Sequence, residues 1–390
     1  MTQPTRQPFA LFFTYGVSLK TWHERGNLMR EVALYDRLAV QFGQVYFFTY
    51  GNADDAQYLP EAVRARIRVF PNRWRLPAWL YSVLLPLFYR KELRACALLK
   101  TNQMKGAWIA VLAKYVYHIP LVVRCGYEWL ETMIREKKSW SHRFLALWIE
   151  RLVYRSADLI LVTSHDMKTF ITTHVRTNSP IMVLSNYIDT DRFVPSSERT
   201  RANRIVFVGR LVAEKQIDRL IDAVDGLSVE LVIIGDGPLR RNLEERAAGI
   251  EMASIRFLGA VPHEQLPAEL RPASLFVFPS RYEGNPKALL EAMACGLAVI
   301  ASDIPAHREI IESGRNGILI DPTAGHIRST IQALLAVPEH IRVLGKNARE
   351  TMLDRYSLDR LVEEETRLYE RLLDGTERDC PNGTSSGFEN

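Results

Sequence analysis

The stretch LFVFPSRYEGNPKALLEAMACGLAVIAS, residues 275–302, holds a complete folding unit. An apolar run ends in Pro279-Ser280, and a Gly-Asn-Pro turn follows. A segment of helical spacing then closes on Gly296, and a β-branched run ends in Ser302. Strand, turn, helix and strand in that order describe a parallel βαβ unit. Pro286 suits a first helical position, so Lys287–Cys295 is predicted helical, with Gly296 as its C-terminal cap. Glu283 and Glu291 flank the turn with seven residues between them.

The same pattern extends outward. RIVFVG (204–209), VELVIIG (229–235), IRFLG (255–259) and GILI (317–320) are short apolar runs, divided by helical-period segments such as IDRLIDAV and LRRNLEERA. The first half repeats it in FALFFTYG, QVYFFTYG, RIRVF, ALLKTN, PLVVRCG and DLILVTS. The fold class is therefore α/β, with two Rossmann-like, doubly wound parallel-sheet domains. Ligands bind such sheets at their carboxyl edges, here expected to face a cleft. The expected division is 1–190 and 191–355, joined through the polar stretch near 185–200. A helix follows over 356–375, and the tail 376–390 has the composition of a disordered segment.

Apolar residues make up 47% and charged residues 24%, the balance of a chain that buries sizeable cores. Cys96, Cys125, Cys295 and Cys380 lie far apart with no C-x-x-C pair. That argues against a disulfide framework or a zinc site and suits a reducing cytoplasm. The N-terminal apolar run is too short for a secretory signal, and the longest charge-free apolar stretch, 77–89, falls below the roughly 20 residues of a spanning helix.

Charge is unevenly spread. Residues 1–190 carry 25 Lys and Arg against 14 Asp and Glu, net +11, whereas the remainder is −6. All seven tryptophans lie in the basic half. Within 64–105 ten basic residues and one acidic residue, Glu92, interleave with Trp74, Trp79, Tyr81, Phe88 and Tyr89. Such a segment suits the headgroup region of an anionic membrane, on the inner face of a cytoplasmic membrane. A nucleic-acid surface is disfavoured by the long apolar run and the lack of an RNA motif, while a solvated basic face over a core helix stands as the plainer alternative.

Three turns of the second half suit an anionic ligand. In VGRLVAEK, Gly209 closes a strand, and Arg210 and Lys215 follow as cations able to neutralise a diphosphate. In IIGDGPLR, Gly235-Asp236-Gly237-Pro238 is a tight turn that needs no ligand to explain it, with Pro238 expected at a first helical position. In the opening stretch, the first helical turn after Pro286 offers amides and a dipole to an anion. Glu291 stands about five residues into that helix, roughly 7.5 Å along its axis. Carboxylates at two ends and positive charge between them suit a nucleotide sugar. The plainer reading of Glu291 is a surface pair with Lys287 worth a few tenths of a kcal/mol.

GRLVAEK, IIGDGPLR, FLGAVPHEQL, FVFPSRYEGNPKALLEAMACGLAVIASDIPAHREII and NGILIDP, in this order, resemble the donor half of family 4 retaining glycosyltransferases of GT-B fold. The resemblance is strongest over 184–321. It implies that Glu283 contacts donor-sugar hydroxyls and Glu291 the ribose, and that Arg210 and Lys215 bind the diphosphate and stabilise its leaving charge. It implies that backbone around Val261 receives the nucleobase and that Gly26 offers an amide to the phosphate. Gly209, Gly284, Asn285, Lys287 and Ala288 complete the implied donor site, and the last helix would cross back onto the first domain.

Departures from the pattern are instructive. Gly284-Asn285-Pro286-Lys287-Ala288 replaces the common G-F-G-L-P, Gln216 follows Lys215 in place of Gly, and Tyr187-Ile188 stands within the usual N-G-V-D. Arg124, Gly126 and Tyr127 stand where many members carry a His, and His118 precedes the strand. Asp189-Thr190-Asp191 resembles a D-x-D metal site but falls in the interdomain join, so no catalytic metal and no cofactor are expected. The implied partners are a UDP- or GDP-linked sugar, a saccharide or lipid-linked acceptor and an anionic membrane, without nucleic acid. Sugar phosphorylases, nucleotide-sugar epimerases and a non-catalytic nucleotide-sugar-binding membrane subunit are the alternatives.

Overall fold

The computed structural model describes residues 7–126, 133, 139–175, 177–196, 203–284 and 286–375. The chain divides into two compact units, residues 1–185 with 361–390, and residues 186–360.

The first unit is a seven-stranded parallel sheet in the order β3-β2-β1-β4-β5-β6-β7. Its strands are β1 (Phe9–Phe12), β2 (Val45–Phe48), β3 (Ile67–Phe70), β4 (Leu98–Thr101), β5 (Leu121–Cys125), β6 (Leu159–Val162) and β7 (Ile181–Val183). Six match the apolar runs of the sequence. β7 was not anticipated; it is three residues long, with Met182 exposed. The helices are α1 (Leu19–Glu24), α2 (Leu28–Phe42), α3 (Ala78–Phe88), α4 (Arg90–Arg94), α5 (Trp108–Tyr117), α6 (Trp140–Ser156) and α7 (His165–His174). From β3 to β6 the chain advances in one direction along the sheet. Right-handed crossovers therefore set α3, α5 and α6 on one face, where α3 packs on α5 and α5 on α6. Their inward side chains, including Tyr81, Leu85, Ile109, Val111, Val153 and Tyr154, share one core with Phe12, Phe48 and Val123.

The last helix, α15 (Leu358–Leu373), belongs to this unit from Leu361 onward. Tyr369 lies 6.1 Å from Phe9 and 5.9 Å from Phe42, and Glu365 forms a fully buried ion pair with Lys100 of β4. Lys100 was counted among the surface cations of 64–105. Its inward position on a strand buried on both faces corrects that reading.

The second unit is a six-stranded parallel sheet in the order β10-β9-β8-β11-β12-β13. Its strands are β8 (Arg204–Val208), β9 (Glu230–Ile234), β10 (Ser254–Gly259), β11 (Leu275–Phe278), β12 (Ala298–Ser302) and β13 (Ile318–Ile320). The helices are α8 (Ile217–Val224), α9 (Arg240–Ala247), α10 (Leu266–Leu270), α11 (Lys287–Ala294), α12 (Pro305–Arg308), α13 (Ala324–Ala336) and α14 (Pro338–Arg355). α11 ends at Cys295 with Gly296 at φ 70°, the left-handed cap that the sequence predicts. Two prolines stand differently from expectation. Pro286 is the residue before α11, with ψ 67°, and Pro238 lies in a turn ahead of α9.

Candidate active site

β8 and β11 are neighbours, yet the chain leaves β8 toward β9 and leaves β11 toward β12. Between these two strands the direction of winding reverses, and doubly wound folds bind ligands at the carboxyl edge of such a switch point. The loop after β8 carries Gly209, Arg210 and Lys215. The loop after β11 carries Glu283 and leads into α11.

The two loops are tied together. The Arg281 amide donates to the Glu214 carbonyl at 2.8 Å. The Lys215 ammonium pairs with the Glu283 carboxylate and lies 4.9 Å from the centre of the Phe278 ring. Both paired side chains are largely buried, at 17% and 8% exposure, while Arg210 beside them is exposed. Lys215 ends a short 3-10 turn, Ala213–Lys215, and does not lie on the following helix. Gln216 then takes a left-handed conformation, φ 48° and ψ 40°, before α8 begins. That is the conformation for which the common Gly at this position is suited.

Behind the pair lies His307 of α12, fully buried, which the sequence reading passed over. Its ring is 5.5 Å from Phe278, and Nδ1 lies 2.8 Å from the Ser302 carbonyl oxygen. Burial holds the imidazole below its ordinary pKa, against the upward pull of that hydrogen bond and of Glu283. Burial thus favours its neutral form.

The second carboxylate is also inward. Glu291 is buried on α11, and its Oε1 lies 2.9 Å from Nε2 of His263. His263 stands in the loop after β10, two residues beyond the half-buried Val261, with its ring 5.2 Å from Phe193. A surface pair with Lys287 therefore does not describe Glu291. His263 was missed because its partner lies 28 residues away on another element. The available signal was a titratable side chain inside FLGAVPHEQL.

The anion site ahead of α11 is narrower than expected, since the Leu289 and Leu290 amides both donate to the Pro286 carbonyl. What remains lies ahead of them, around Lys287 and Ala288, both half-buried, and the exposed Gly284. Asn285 lies outside the described residues. The Gly-Asp-Gly turn after β9 has a structural reason. A Cβ on Gly235 would lie 1.9 Å from the Gly209 carbonyl oxygen, and one on Gly237 would lie 2.5 Å from that of Leu211. These glycines let one loop backbone rest on the next, as the Leu211 amide bond to the Asp236 carbonyl shows.

Gly26 belongs to the first unit. Its amide, assigned above to a phosphate, donates to the His23 carbonyl at 2.9 Å and closes α1 with φ 67°. Of the residues in place of the common His, Arg124 is the penultimate residue of β5 and partly buried, the Gly126 amide donates to Gln103, and Tyr127 lies outside the described residues. Asp189 Oδ1 accepts the amides of Asp191 and Arg192, both at 3.2 Å, so this carboxylate closes a local turn.

Residues 189–351 match the family model for glycosyl transferases group 1, and residues 32–192 match that for Glycosyltransferase Family 4. The chain is a family 4-like glycosyltransferase of GT-B fold. Among its relatives, the alpha-maltose-1-phosphate synthase of Mycolicibacterium smegmatis is 27% identical over 67% of this chain and 75% of that protein. An uncharacterized glycosyltransferase of Methanocaldococcus jannaschii is 31% identical over 43% of this chain, and the chain spans about half of its length, 48%. The fold matches that of sucrose-phosphate synthase from Thermosynechococcus elongatus with a TM-score of 0.74, at 22% identity over 95% of this chain and 100% of that one. It also matches Anabaena HepE, solved in complex with UDP and glucose, with a TM-score of 0.70 at 18% identity over 93% and 99% of the two chains.

Proposed function

We propose that this glycosyltransferase moves a hexosyl group from a UDP- or GDP-linked sugar to a saccharide or lipid-linked saccharide, with retention at the anomeric carbon. The observation that carries the reading is the Lys215–Glu283 pair at the switch point, with Arg210 exposed beside it. An incoming diphosphate competes with Glu283 for Lys215 and frees the carboxylate to accept hydroxyls of the donor sugar. Lys215 and Arg210 then face the charge that grows on the leaving diphosphate, and preorganised cations in a partly buried site act there by electrostatic stabilisation. Glu291, held by His263, takes the ribose, and backbone at Val261 takes the base.

The acceptor hydroxyl forms its bond to the anomeric carbon on the face from which the phosphate oxygen departs. The bond to that oxygen breaks with its electron pair, and the acceptor proton passes to the leaving phosphate. No side-chain nucleophile is required. The reaction is independent of a metal ion, a reading supported by the local engagement of Asp189.

The test is a turnover screen of the full chain across UDP- and GDP-sugars with saccharide and lipid acceptors, with product anomers assigned by NMR. Transfer with retention, unchanged by a strong chelator, is the expected result. Sugar interconversion without acceptor, or phosphorolysis, would move the protein to the epimerase or phosphorylase class. Nucleotide-sugar binding without turnover of any pair would favour a non-catalytic subunit.

A further inference from the structure

Helices α3, α5 and α6 cover one face of the first sheet, and all three turn large apolar side chains outward. On α3, Trp79, Val83 and Leu87 recur every four residues and are exposed, Trp79 at 62%. α5 adds Tyr115 and Val116. α6 carries the longest stripe. Trp140, Phe144, Trp148 and Leu152, also four residues apart, are at least half exposed, with Trp140 at 77% and Trp148 at 61%. Residues at this spacing share one side of a helix, and twelve residues extend roughly 18 Å along it. The Trp140 and Phe144 rings stack at 5.5 Å, and Phe144 and Trp148 follow at 6.4 Å. The opposite sides of these helices are already packed in the core, through Tyr81 and Leu85 on α3 and Val153 and Tyr154 on α6. The outward stripes are therefore a second set of apolar side chains, distinct from those in the core.

Among the described residues, the exposed charges on α3, α4, α5 and α6 are cationic. Arg73, Arg75, Arg90, Lys91 and Arg94 are exposed around the two ends of α3, and Arg155 is exposed at the end of α6. Across α3, α4, α5 and α6 the sequence has two acidic residues, Glu92, half-buried, and Glu150, fully buried. No exposed carboxylate stands on these four helices to repel an anionic surface. A second copy of the chain would bring two such cationic rims together. An anionic bilayer presents charge complementary to the rim and hydrocarbon to the stripe, and Trp and Tyr favour the boundary between them.

We infer that the outer face of α3, α5 and α6 docks on an anionic lipid bilayer, with the Trp140-Phe144-Trp148 ladder as its main insertion element. This goes beyond the basic segment 64–105, because the ladder lies outside that segment. The inference does not depend on the donor chemistry of the second unit.

The experiment uses the full chain with phosphatidylcholine vesicles and with vesicles containing phosphatidylglycerol, read by co-sedimentation and tryptophan emission. Expected is binding that rises with anionic lipid, falls with salt and shifts emission to the blue. Trp140→Ser/Phe144→Ser/Trp148→Ser should lose about tenfold or more in partitioning, since each buried aromatic contributes strongly to interfacial binding. Arg73→Gln/Arg75→Gln/Arg90→Gln/Lys91→Gln should lose the dependence on anionic lipid. Both variants should hydrolyse donor sugar at the parental rate, so the vesicle result stays separate from the fate of the glycosyltransferase reading. Parental binding by the triple variant overturns the inference, as does equal binding of the parent to neutral vesicles or no binding at all. A parent that self-associates without lipid, paired with a monomeric triple variant, would show that a second copy covers the face.

Discussion

The two sheets of this chain place charge in opposite ways. In the second unit, Lys215–Glu283 and Glu291–His263 sit at or beyond the carboxyl ends of strands, partly open and tied to loops. In the first unit, Lys100–Glu365 sits within the sheet–helix core with both side chains at 0% exposure. Loop pairs can exchange partners with a ligand, whereas a core pair closed to ligand and solvent can only hold its elements together. Site and scaffold are thus distinguished by whether a charge can find a second partner, and each contrast can be tested.

The largest effect is expected in the core. Burial pushes the Lys100 ammonium down to about 8, against the pull of Glu365. Burial also pushes the Glu365 carboxyl up, but Lys100, Arg124 and the hydrogen bonds from Lys100 and Tyr369 bring it below its ordinary value. Glu365→Ala should cost about 3–5 kcal/mol in urea unfolding, because it leaves a buried ammonium alone. Lys100→Met/Glu365→Leu should recover most of that loss. The pH dependence has two signs. Glu365 contributes stability above its unfolded pKa near 4.5, lost as pH falls through the lower folded value. Lys100 adds stability as pH rises from about 8 toward 10.5, the window in which the unfolded chain alone keeps the proton. Lys100→Met should flatten that alkaline rise. Equal stability of Glu365→Ala and the parent would end the contrast between core and site.

Next in size is Lys215. Lys215→Ala should lower turnover at saturating donor about a hundredfold or more, the usual effect of removing a group that meets developing charge. Its thermal unfolding should stay near that of the parent, unlike the Glu365 variant. Near-parental turnover in a folded variant would take Lys215 out of the chemistry.

His263 sharpens the comparison within the site. A hydrogen bond to a carboxylate contributes roughly 1.5–3 kcal/mol, so His263→Ala should raise donor KM about tenfold or more with little change in kcat. His263→Gln, which keeps a donor in reach of Glu291, should recover part of the loss. A fall in kcat at unchanged KM would instead move the pair from ribose binding to the reaction itself.

How much was legible in the sequence follows the same division. Strands buried on both faces, such as β1, β2, β4, β11 and β12, appear as continuous apolar runs, and the partly exposed β3, β10 and β13 were read from shorter apolar runs, whereas β7, with Met182 exposed, was not read. Glu283, Glu291 and Lys215 were singled out through motif spacing and family resemblance. Their actual partners were not, since Lys215 lies 68 residues from Glu283 in sequence. The α6 ladder escaped notice because helical periodicity identifies an apolar side without saying whether anything covers it. Trp79, which the sequence left between core and surface, is exposed.

The smallest effect concerns Gln216, where scaffold and site meet. A left-handed residue with a side chain costs about 1 kcal/mol relative to Gly, which favours replacing it. The side chain offsets this. With its amide nitrogen toward the Pro279 carbonyl at 3.0 Å, its oxygen accepts from Arg219 at 3.1 Å and 3.2 Å, joining the β8 loop to the end of β11. Each such bond contributes about 1 kcal/mol net, and Gly loses more freedom on folding than Gln does. Gln216→Gly should therefore be destabilised by about 1 kcal/mol. Gln216→Ala, which keeps the backbone strain and loses the bonds, should be destabilised by about 2 kcal/mol. Donor KM should rise in both, because Lys215 is held from this residue. If Gln216→Gly were instead more stable than the parent with donor KM unchanged, the bridge would contribute nothing, and the placement of Lys215 would rest on its pair with Glu283 alone.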